Sequence, residues 1–240
     1  MEYLSAIKLN KGLPENTYLN SLAPVRYLMQ NELTFDRPVT IFVGENGVGK
    51  STLLEAIAVC CGFNPEGGSR NFRFSTEDTH SGLGEYLTPI RKGYNKDGFF
   101  LRAESFYNVA SYLDNMKDPM AYASYGGVSL HEQSHGESFL ALVQNRFGGE
   151  GLYLLDEPEA ALSPSKILTL MVEINQLVQE NSQFIISTHS PILMAFPNAR
   201  IYLIDVAGIR PANYRETEHF SLTKQFLDDP ERMLHYLFSQ

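Results

Sequence analysis

GENGVGKST, residues 44–52, fills every position of the pattern G-x-x-x-x-G-K-[ST]. The apolar run Val39–Val43 predicts a buried strand before it, and the residues from Lys50 to about Cys61 predict a helix after it. In such a strand–loop–helix, backbone N–H groups turn inward and the helix N-terminus adds a positive dipole end, so anions bind there. The sequence therefore predicts a phosphate-binding loop formed by Gly44, Glu45, Asn46, Gly47, Val48, Gly49, Lys50, Ser51 and Thr52.

Two of these residues have further predicted roles at a bound nucleoside triphosphate. Lys50 is expected to reach the β- and γ-phosphates, and the Ser51 hydroxyl is expected to bind Mg²⁺.

Two acids follow another apolar strand. The run Leu152–Leu155 leads directly into Asp156 and Glu157, and open parallel sheets have their sites at the carboxyl ends of strands. Asp156 suits a Mg²⁺ partner, direct or through water, and Glu157 suits a group that polarises an attacking water. Two carboxylates beside a triphosphate would repel it, so their presence indicates a cation between them.

A histidine follows the next predicted strand. His189 lies in STHSP, residues 187–191, after the apolar run Phe184–Ile186. We expect it at the same sheet edge, where it would contact the γ-phosphate or hold the water in line with Glu157.

HEQSHGES, residues 131–138, has two interpretations. Its first five letters match H-E-x-x-H, a zinc-protease pattern that needs His131 and His135 on one face of a continuous helix. Gly136 directly after the second histidine argues against that helix. The other interpretation is the signature loop of an ATPase family that the chain resembles, which implies that Ser134 and Gly136 begin a helix whose N-terminus binds phosphate.

Four segments in this order, GENGVGKST, SHGES, LYLLDEPEAALSP and STHSP, resemble the Walker A, signature, Walker B with D-loop, and H-loop motifs of the ABC ATPase superfamily. The resemblance extends from Gly44 to Pro191. DEPEAALSP and THSP look more like the stand-alone soluble ATPases of chromosome maintenance, recombination repair and phage defence than like transporter subunits, which more often show DEPTSALD.

The resemblance implies a head-to-tail homodimer around two ATP molecules, with Mg²⁺ as cofactor. Ser134, Gly136 and Glu137 would bind the γ-phosphate held by the partner's phosphate loop. Glu157 would activate water, and His189 and Lys50 would complete the catalytic set. His135 and Glu137 depart from the usual signature.

Two family features lack a clear match. No glutamine marks the Q-loop, and Glu104 or Ser105 takes its place by position after the predicted strand Gly98–Arg102. Glu104 is thus the third predicted metal ligand, with Ser51 and Asp156. Tyr18 and Tyr27 are candidates for stacking on adenine.

Length and composition agree with one α/β domain over residues 1–240. Alternating apolar strands and helices predict a P-loop NTPase fold with a mostly parallel sheet flanked by helices. We further predict an N-terminal β layer from Leu4–Leu9 and Val25–Phe35, an irregular inserted lobe over residues 64–98, a helix around Tyr107–Met116, and a C-terminal helical tail over residues 217–240.

Net charge and cysteine content indicate which partners and which cellular compartment to expect. A formal net charge of −9 argues against a surface coated for nucleic acid, although it leaves room for a local patch. The two cysteines are adjacent, and no secretory signal or membrane-spanning run is apparent, which predicts a cytoplasmic protein without direct membrane insertion.

Three functions fit these predictions. The first is an ATPase of DNA repair or phage defence that acts on nucleic acid or on an effector protein. The second is the energy-coupling subunit of a membrane transporter, and the third is a nucleotide switch with negligible turnover.

Overall fold

The computed structural model describes residues 2–10, 12–69, 81–103 and 134–239. The predicted helix around Tyr107–Met116, the candidates Glu104 and Ser105, and His131 lie outside these ranges.

The described strands form two sheets. Their bounds are β1 Leu4–Leu9, β2 Leu33–Thr34, β3 Val39–Val43, β4 Leu87–Arg91, β5 Asp97–Arg102, β6 Gly151–Asp156, β7 Gln183–Ser187, β8 Arg200–Asp205 and β9 Gly208–Ala212. Within the described ranges, the larger sheet has the order β5-β6-β7-β3-β8-β9, in which only β9 runs antiparallel to its neighbour. The smaller sheet is antiparallel, in the order β2-β1-β4. The expected α/β P-loop NTPase fold with a separate β layer is confirmed.

Helices cover both faces of the parallel sheet. Their bounds are α1 Ala23–Leu28, α2 Lys50–Cys60, α3 His135–Arg146, α4 Pro164–Gln179, α5 Pro191–Met194, α6 Glu218–Asp228 and α7 Pro230–Phe238. The apolar face of α4 contributes Ile167, Ile174 and Leu177 to the core.

Alternation along β3 explains how one strand serves two cores. Val39, Ile41 and Val43 pack in the cluster that includes α3 and α4. Phe42 points to the other face and packs with α2 and the antiparallel layer. Because successive side chains of a strand point to opposite faces, an unbroken apolar run is what a strand covered on both sides requires.

The structure corrects two sequence predictions. Residues 25–28 were expected in the β layer, but they belong to α1, and only Leu33–Thr34 of that region forms a strand. Pro24 in the first helical turn explains the helix start, because its fixed φ suits that position. Residues 87–91 were expected in the irregular lobe, but they form β4 and pair with β1. The division into a domain, a lobe over 64–98 and a tail over 217–240 stays a prediction.

Among the described residues, no helix combines the length and apolar character needed to cross a bilayer.

Candidate nucleotide-binding site

The phosphate loop connects the carboxyl end of β3 to the N-terminus of α2. Gly47 and Gly49 have φ values of +80° and +97°, a region that side chains disfavour. At Gly44, a Cβ would lie 2.2 Å from the carbonyl oxygen of Ile204, so the loop also packs against β8. The loop surrounds a pocket lined by Leu22, Asn46, Gly47, Gly49, Lys50, Ser51, Thr52 and Glu157.

Lys50 is the cation of this pocket. It is 4% exposed, and its Nζ donates to the Glu45 carbonyl at 2.9 Å. Burial lowers the Lys50 pKa, while Glu157 and Asp156 raise it. The ammonium group is therefore held inside the protein by nearby carboxylates, where an anionic ligand would be attracted to it.

Ser51 and Asp156 meet across the gap between α2 and β6. The Ser51 hydroxyl donates to Oδ1 of Asp156 at 3.1 Å, and Nε of Arg102 lies 3.6 Å from Oδ2 of Asp156. Arg102 also pairs with Glu55 at 2.9 Å. A hydroxyl beside a carboxylate fits Mg²⁺, which prefers oxygen ligands and takes few of them from the protein. The described residues contain no group of three or more His, Cys, Asp or Glu that could hold a metal ion.

Burial raises the pKa of Asp156 to about 6, and the Arg102 charge and the Ser51 hydrogen bond partly oppose this rise. A carboxyl removed from water resists ionisation unless a cation compensates it. This site would therefore gain from a second positive charge beside Arg102.

Glu157 has an unusual backbone. Its φ and ψ are 48° and 51°, a left-handed conformation that costs a non-glycine residue on the order of 1–3 kcal/mol. Its N–H donates to the Ser187 carbonyl at 2.9 Å. With this backbone conformation, Glu157 lines the phosphate-loop pocket. Asp156, one residue earlier, accepts a hydrogen bond from Ser51.

His189 contacts Glu157 from the end of β7. Its Nε2 lies 3.5 Å from Oε1 of Glu157, and its Nδ1 lies 2.9 Å from Nε2 of His219. Oε1 of Glu159 accepts the His189 backbone N–H at 2.5 Å. Burial lowers the pKa of both histidines, which favours two neutral rings at pH 7.

Ser134 is the N-cap of α3, with extended φ and ψ of −62° and 150°. Oε2 of Glu137 accepts the Ser134 backbone N–H at 3.1 Å and also contacts the Ser134 hydroxyl at 2.5 Å. The Glu137 side chain therefore caps the start of α3, a role that the sequence analysis did not predict.

His135 is the first residue of α3. Because the helix does not extend back through Ser134, the continuous H-E-x-x-H helix of the zinc interpretation is absent.

The start of α3 packs tightly on the segment after β6. A Cβ at Gly136 would lie 2.9 Å from the Ala161 carbonyl oxygen. Ser134, Gly136 and Glu137 are not among the described residues that line the phosphate-loop pocket. Within one chain, the predicted signature residues therefore form a second surface apart from the loop.

Five of the predicted site residues lie at one edge of the parallel sheet, whereas the two candidate tyrosines do not line the pocket. Lys50, Ser51, Asp156, Glu157 and His189 gather at the carboxyl ends of β3, β6 and β7. Tyr18 is 63% exposed, and neither candidate tyrosine is among the described residues lining the pocket, where Leu22 contributes the apolar contact instead.

The sequence analysis missed four residues of the site: Leu22, Arg102, Glu159 and His219. Glu159 had a signal, because it stands two residues after Glu157 in the same motif. Arg102 had one too, because it ends the predicted strand Gly98–Arg102, whose parallel pairing with β6 places Arg102 opposite Asp156. Leu22 and His219 come from segments without a recognisable motif.

Two protein-family models match the chain. One, described as "AAA domain", matches residues 25–109 and contains the phosphate loop. The other, described as "AAA domain, putative AbiEii toxin, Type IV TA system", matches residues 124–195 and contains Ser134, the acids after β6 and His189.

Two curated proteins are similar over part of their length. The macrolide export ATP-binding/permease protein MacB of Hahella chejuensis is 26% identical over 210 residues, which cover 75% of this chain and 31% of that protein. An uncharacterised ABC transporter ATP-binding protein of Haemophilus influenzae is 34% identical over 76 residues, which cover 31% of this chain and 29% of that protein. The matches thus span about a third of each relative.

Solved structures share the fold. The chain matches cbiO1 from Clostridium perfringens, part of the ABC transporter complex cbiONQ, with a TM-score of 0.55 and 19% identity over 99% of both chains. It also matches an ATP-binding cassette of an ABC transporter with a TM-score of 0.53 and 17% identity, over 98% of this chain and 99% of that one. The two AAA-domain models and the complete phosphate-loop motif agree with this shared fold, which is the α/β fold of ABC-type P-loop ATPase domains.

Proposed function

We propose that the protein hydrolyses ATP with Mg²⁺ in a head-to-tail homodimer that bound ATP holds together. The observation that carries this proposal is the convergence of two pairs beside Lys50. Ser51 lies 3.1 Å from Asp156, and Glu157 lies 3.5 Å from His189. The first pair suits a cation and the second suits an attacking water, and both are next to a loop built for phosphate.

Binding would use the backbone N–H groups of residues 44–52, the start of α2 and the Lys50 ammonium group. Ser51 and Asp156 would hold Mg²⁺, which neutralises charge on the β- and γ-phosphates when bound. The raised pKa of Asp156 supports this role, because a buried carboxyl needs a cation to remain ionised.

Hydrolysis would use Glu157 as the base. Its carboxylate would accept a proton from the attacking water as the water oxygen bonds to the γ-phosphorus and the bond to the ADP oxygen breaks. His189, neutral and 3.5 Å from Glu157, would orient the water or the γ-phosphate. Lys50 would stabilise the charge that develops on the transferred group.

The dimer is proposed because the predicted signature is separate from the pocket. Ser134 and His135 are exposed at the N-terminus of α3, a helix end that favours anions. In a two-fold head-to-tail pair, each α3 start would meet the ATP held by the other chain.

The first test is steady-state ATP hydrolysis by Glu157→Gln, with Glu32→Gln as a matched change at an exposed position. We expect the Glu157 variant to lose about 10²-fold or more in kcat while it keeps its ATP affinity, and the Glu32 variant to match the parent protein. Unchanged turnover in Glu157→Gln would contradict the assigned base. A parent protein that binds ATP without measurable turnover would favour the nucleotide switch.

For the biological setting, we propose an ATPase of DNA repair or phage defence that acts on nucleic acid or an effector protein. The EAALSP loop, residues 159–164, supports it, as does the match to the family model described as a putative AbiEii toxin of a Type IV TA system. The transporter relatives favour the alternative of an energy-coupling subunit. Stimulation of ATP hydrolysis by added DNA would support the first setting, and co-purification with a membrane protein would support the second.

A further inference from the structure

The start of the C-terminal tail contacts the candidate catalytic histidine. His219, in the first turn of α6, places its Nε2 2.9 Å from Nδ1 of His189. The opposite ring nitrogen of His189 faces Glu157 at 3.5 Å. A line of polar atoms therefore runs from α6 through His189 to the proposed base.

His219 is held firmly although most of the tail is exposed. The N-cap of α6, Thr217, is 0% exposed; its Oγ1 donates to the Tyr214 carbonyl at 2.6 Å and accepts the Phe220 N–H at 3.3 Å. The Phe220 ring packs edge-on against Tyr214 at a centroid distance of 4.8 Å. These contacts fix the first turn, so His219 is part of the body of the protein.

The protonation of the two rings can be deduced from their surroundings. Burial lowers both pKa values, so each neutral ring carries one N–H, and one of these must lie in the bond between the rings. If His189 donated, its Nε2 lone pair would face the Glu157 carboxylate, which is repulsive. If His219 donates, His189 carries its N–H on Nε2 and presents it to Glu157.

The charge of Glu157 decides between the two directions of donation. Within the described part of the chain, Nε2 of His189 and Nδ1 of His219 are both buried without a hydrogen-bond partner. Either direction therefore leaves one of these two atoms as a donor and the other as an acceptor, and their burial alone does not distinguish the two. Oε1 of Glu157, 3.5 Å from Nε2 of His189, attracts an N–H at that atom and repels a lone pair, which favours donation from His219.

We propose that His219 is a positioning residue that donates from Nε2 to Nδ1 of His189 and thereby fixes His189 as the Nε2–H tautomer. Its effect on turnover rests on the hydrolysis proposed above, whereas its effect on the tautomer does not. The second nitrogen of a histidine commonly decides the state of the first. Here that control would come from the tail, a segment that no motif of the chain includes.

The test uses two substitutions of similar size. His219→Gln keeps an amide N–H donor near the position of Nε2, and His219→Met removes it. The imidazole ¹⁵N chemical shifts of His189, assigned with His189→Gln, report its tautomer, and kcat and the ATP dissociation constant are measured for each variant.

We expect the Nε2–H tautomer in the parent protein and in His219→Gln, and a mixture of tautomers in His219→Met. The kcat of His219→Met should fall about tenfold with an ATP dissociation constant within about twofold of the parent value, and His219→Gln should recover most of the loss. A packing defect alone would not be rescued by glutamine in both measurements.

Any result other than these would disprove part of the proposal. An identical His189 tautomer in all three proteins would disprove the donation from His219. A changed tautomer with an unchanged kcat would disprove its role in turnover. If the parent protein does not hydrolyse ATP, the proposed function fails, and the ¹⁵N shifts still decide whether His219 sets the tautomer.

Discussion

At the scale of residues, the buried carboxylate of Asp156 destabilises the folded protein. Its pKa is raised from 3.8 to about 6, chiefly by burial. Between these two pH values the folded protein binds a proton that the unfolded chain does not, so the free energy of unfolding falls as pH rises from about 4 to 6. Above pH 6 the full cost of the buried charge is present, about 3 kcal/mol for a shift of this size.

Asp156→Asn should therefore stabilise the protein when nucleotide and Mg²⁺ are absent. The amide oxygen can still accept the Ser51 hydrogen bond, and the buried charge is gone. Urea unfolding at pH 7.5 should show a gain of up to about 3 kcal/mol, and near pH 4 the two proteins should have equal stability. A loss of stability at pH 7.5 would show that the pair with Arg102 outweighs the cost of burying the carboxylate.

How well single residues could be predicted depends on whether they lie in a motif. Lys50, Ser51, Asp156, Glu157 and His189 follow strands in recognisable segments, so their convergence follows from the parallel sheet alone. Arg102 ends β5, and the parallel register with β6 places it opposite Asp156. His219 reaches the site through tertiary packing, from a segment whose own sequence carries no motif. The binding of Glu137 to a nucleotide held by a partner chain stays a prediction, and the capping of α3 by its carboxylate is a contact that no motif indicated.

At the scale of elements, the start of α3 depends on its packing against the segment after β6. Gly136→Ala would place a Cβ 2.9 Å from the Ala161 carbonyl oxygen, and that backbone atom has little room to move. Overpacking of this kind costs about 1–3 kcal/mol, which outweighs the helix propensity of alanine over glycine, about 1 kcal/mol.

We therefore expect Gly136→Ala to lower the free energy of unfolding by up to about 2 kcal/mol in urea titrations. Gly12→Ala is the matched control, because a Cβ there meets nothing within 4 Å. Equal stability of the two variants would mean that α3 can shift without cost, contrary to the tight contact with Ala161.

The elements themselves were predicted where their apolar pattern is continuous. β3, β6 and β7 are buried along their whole length, and their sequences are correspondingly apolar. β4 was missed because it includes Pro89 and follows a segment rich in glycine and serine. Its place at the edge of the β2-β1-β4 sheet explains why proline is tolerated there.

At the scale of the whole molecule, the P-loop fold followed from the order of motifs, but the packing of the tail did not. Residues 217–240 were predicted as helical, and α6 and α7 occupy most of that range. Nothing in their sequence indicated that the first turn of α6 would reach His189. Such a contact depends on how β9 returns the chain to the sheet edge, which no local pattern encodes.

The proposed dimer would likewise be a property of the whole molecule. Because the phosphate loop and the start of α3 are separate surfaces of one chain, the proposed site is complete only when a second chain contributes its α3. Ser134→Arg would put a bulky cation at this surface, and it should block pairing without altering the phosphate loop of its own chain.

The solution mass of Glu157→Gln, measured by light scattering with and without Mg·ATP, tests this claim most directly. We expect the variant to be monomeric alone, dimeric with Mg·ATP because it binds without hydrolysing, and monomeric again when Ser134→Arg is added. A protein that binds ATP and remains monomeric at every concentration tested would contradict the ATP-gated homodimer.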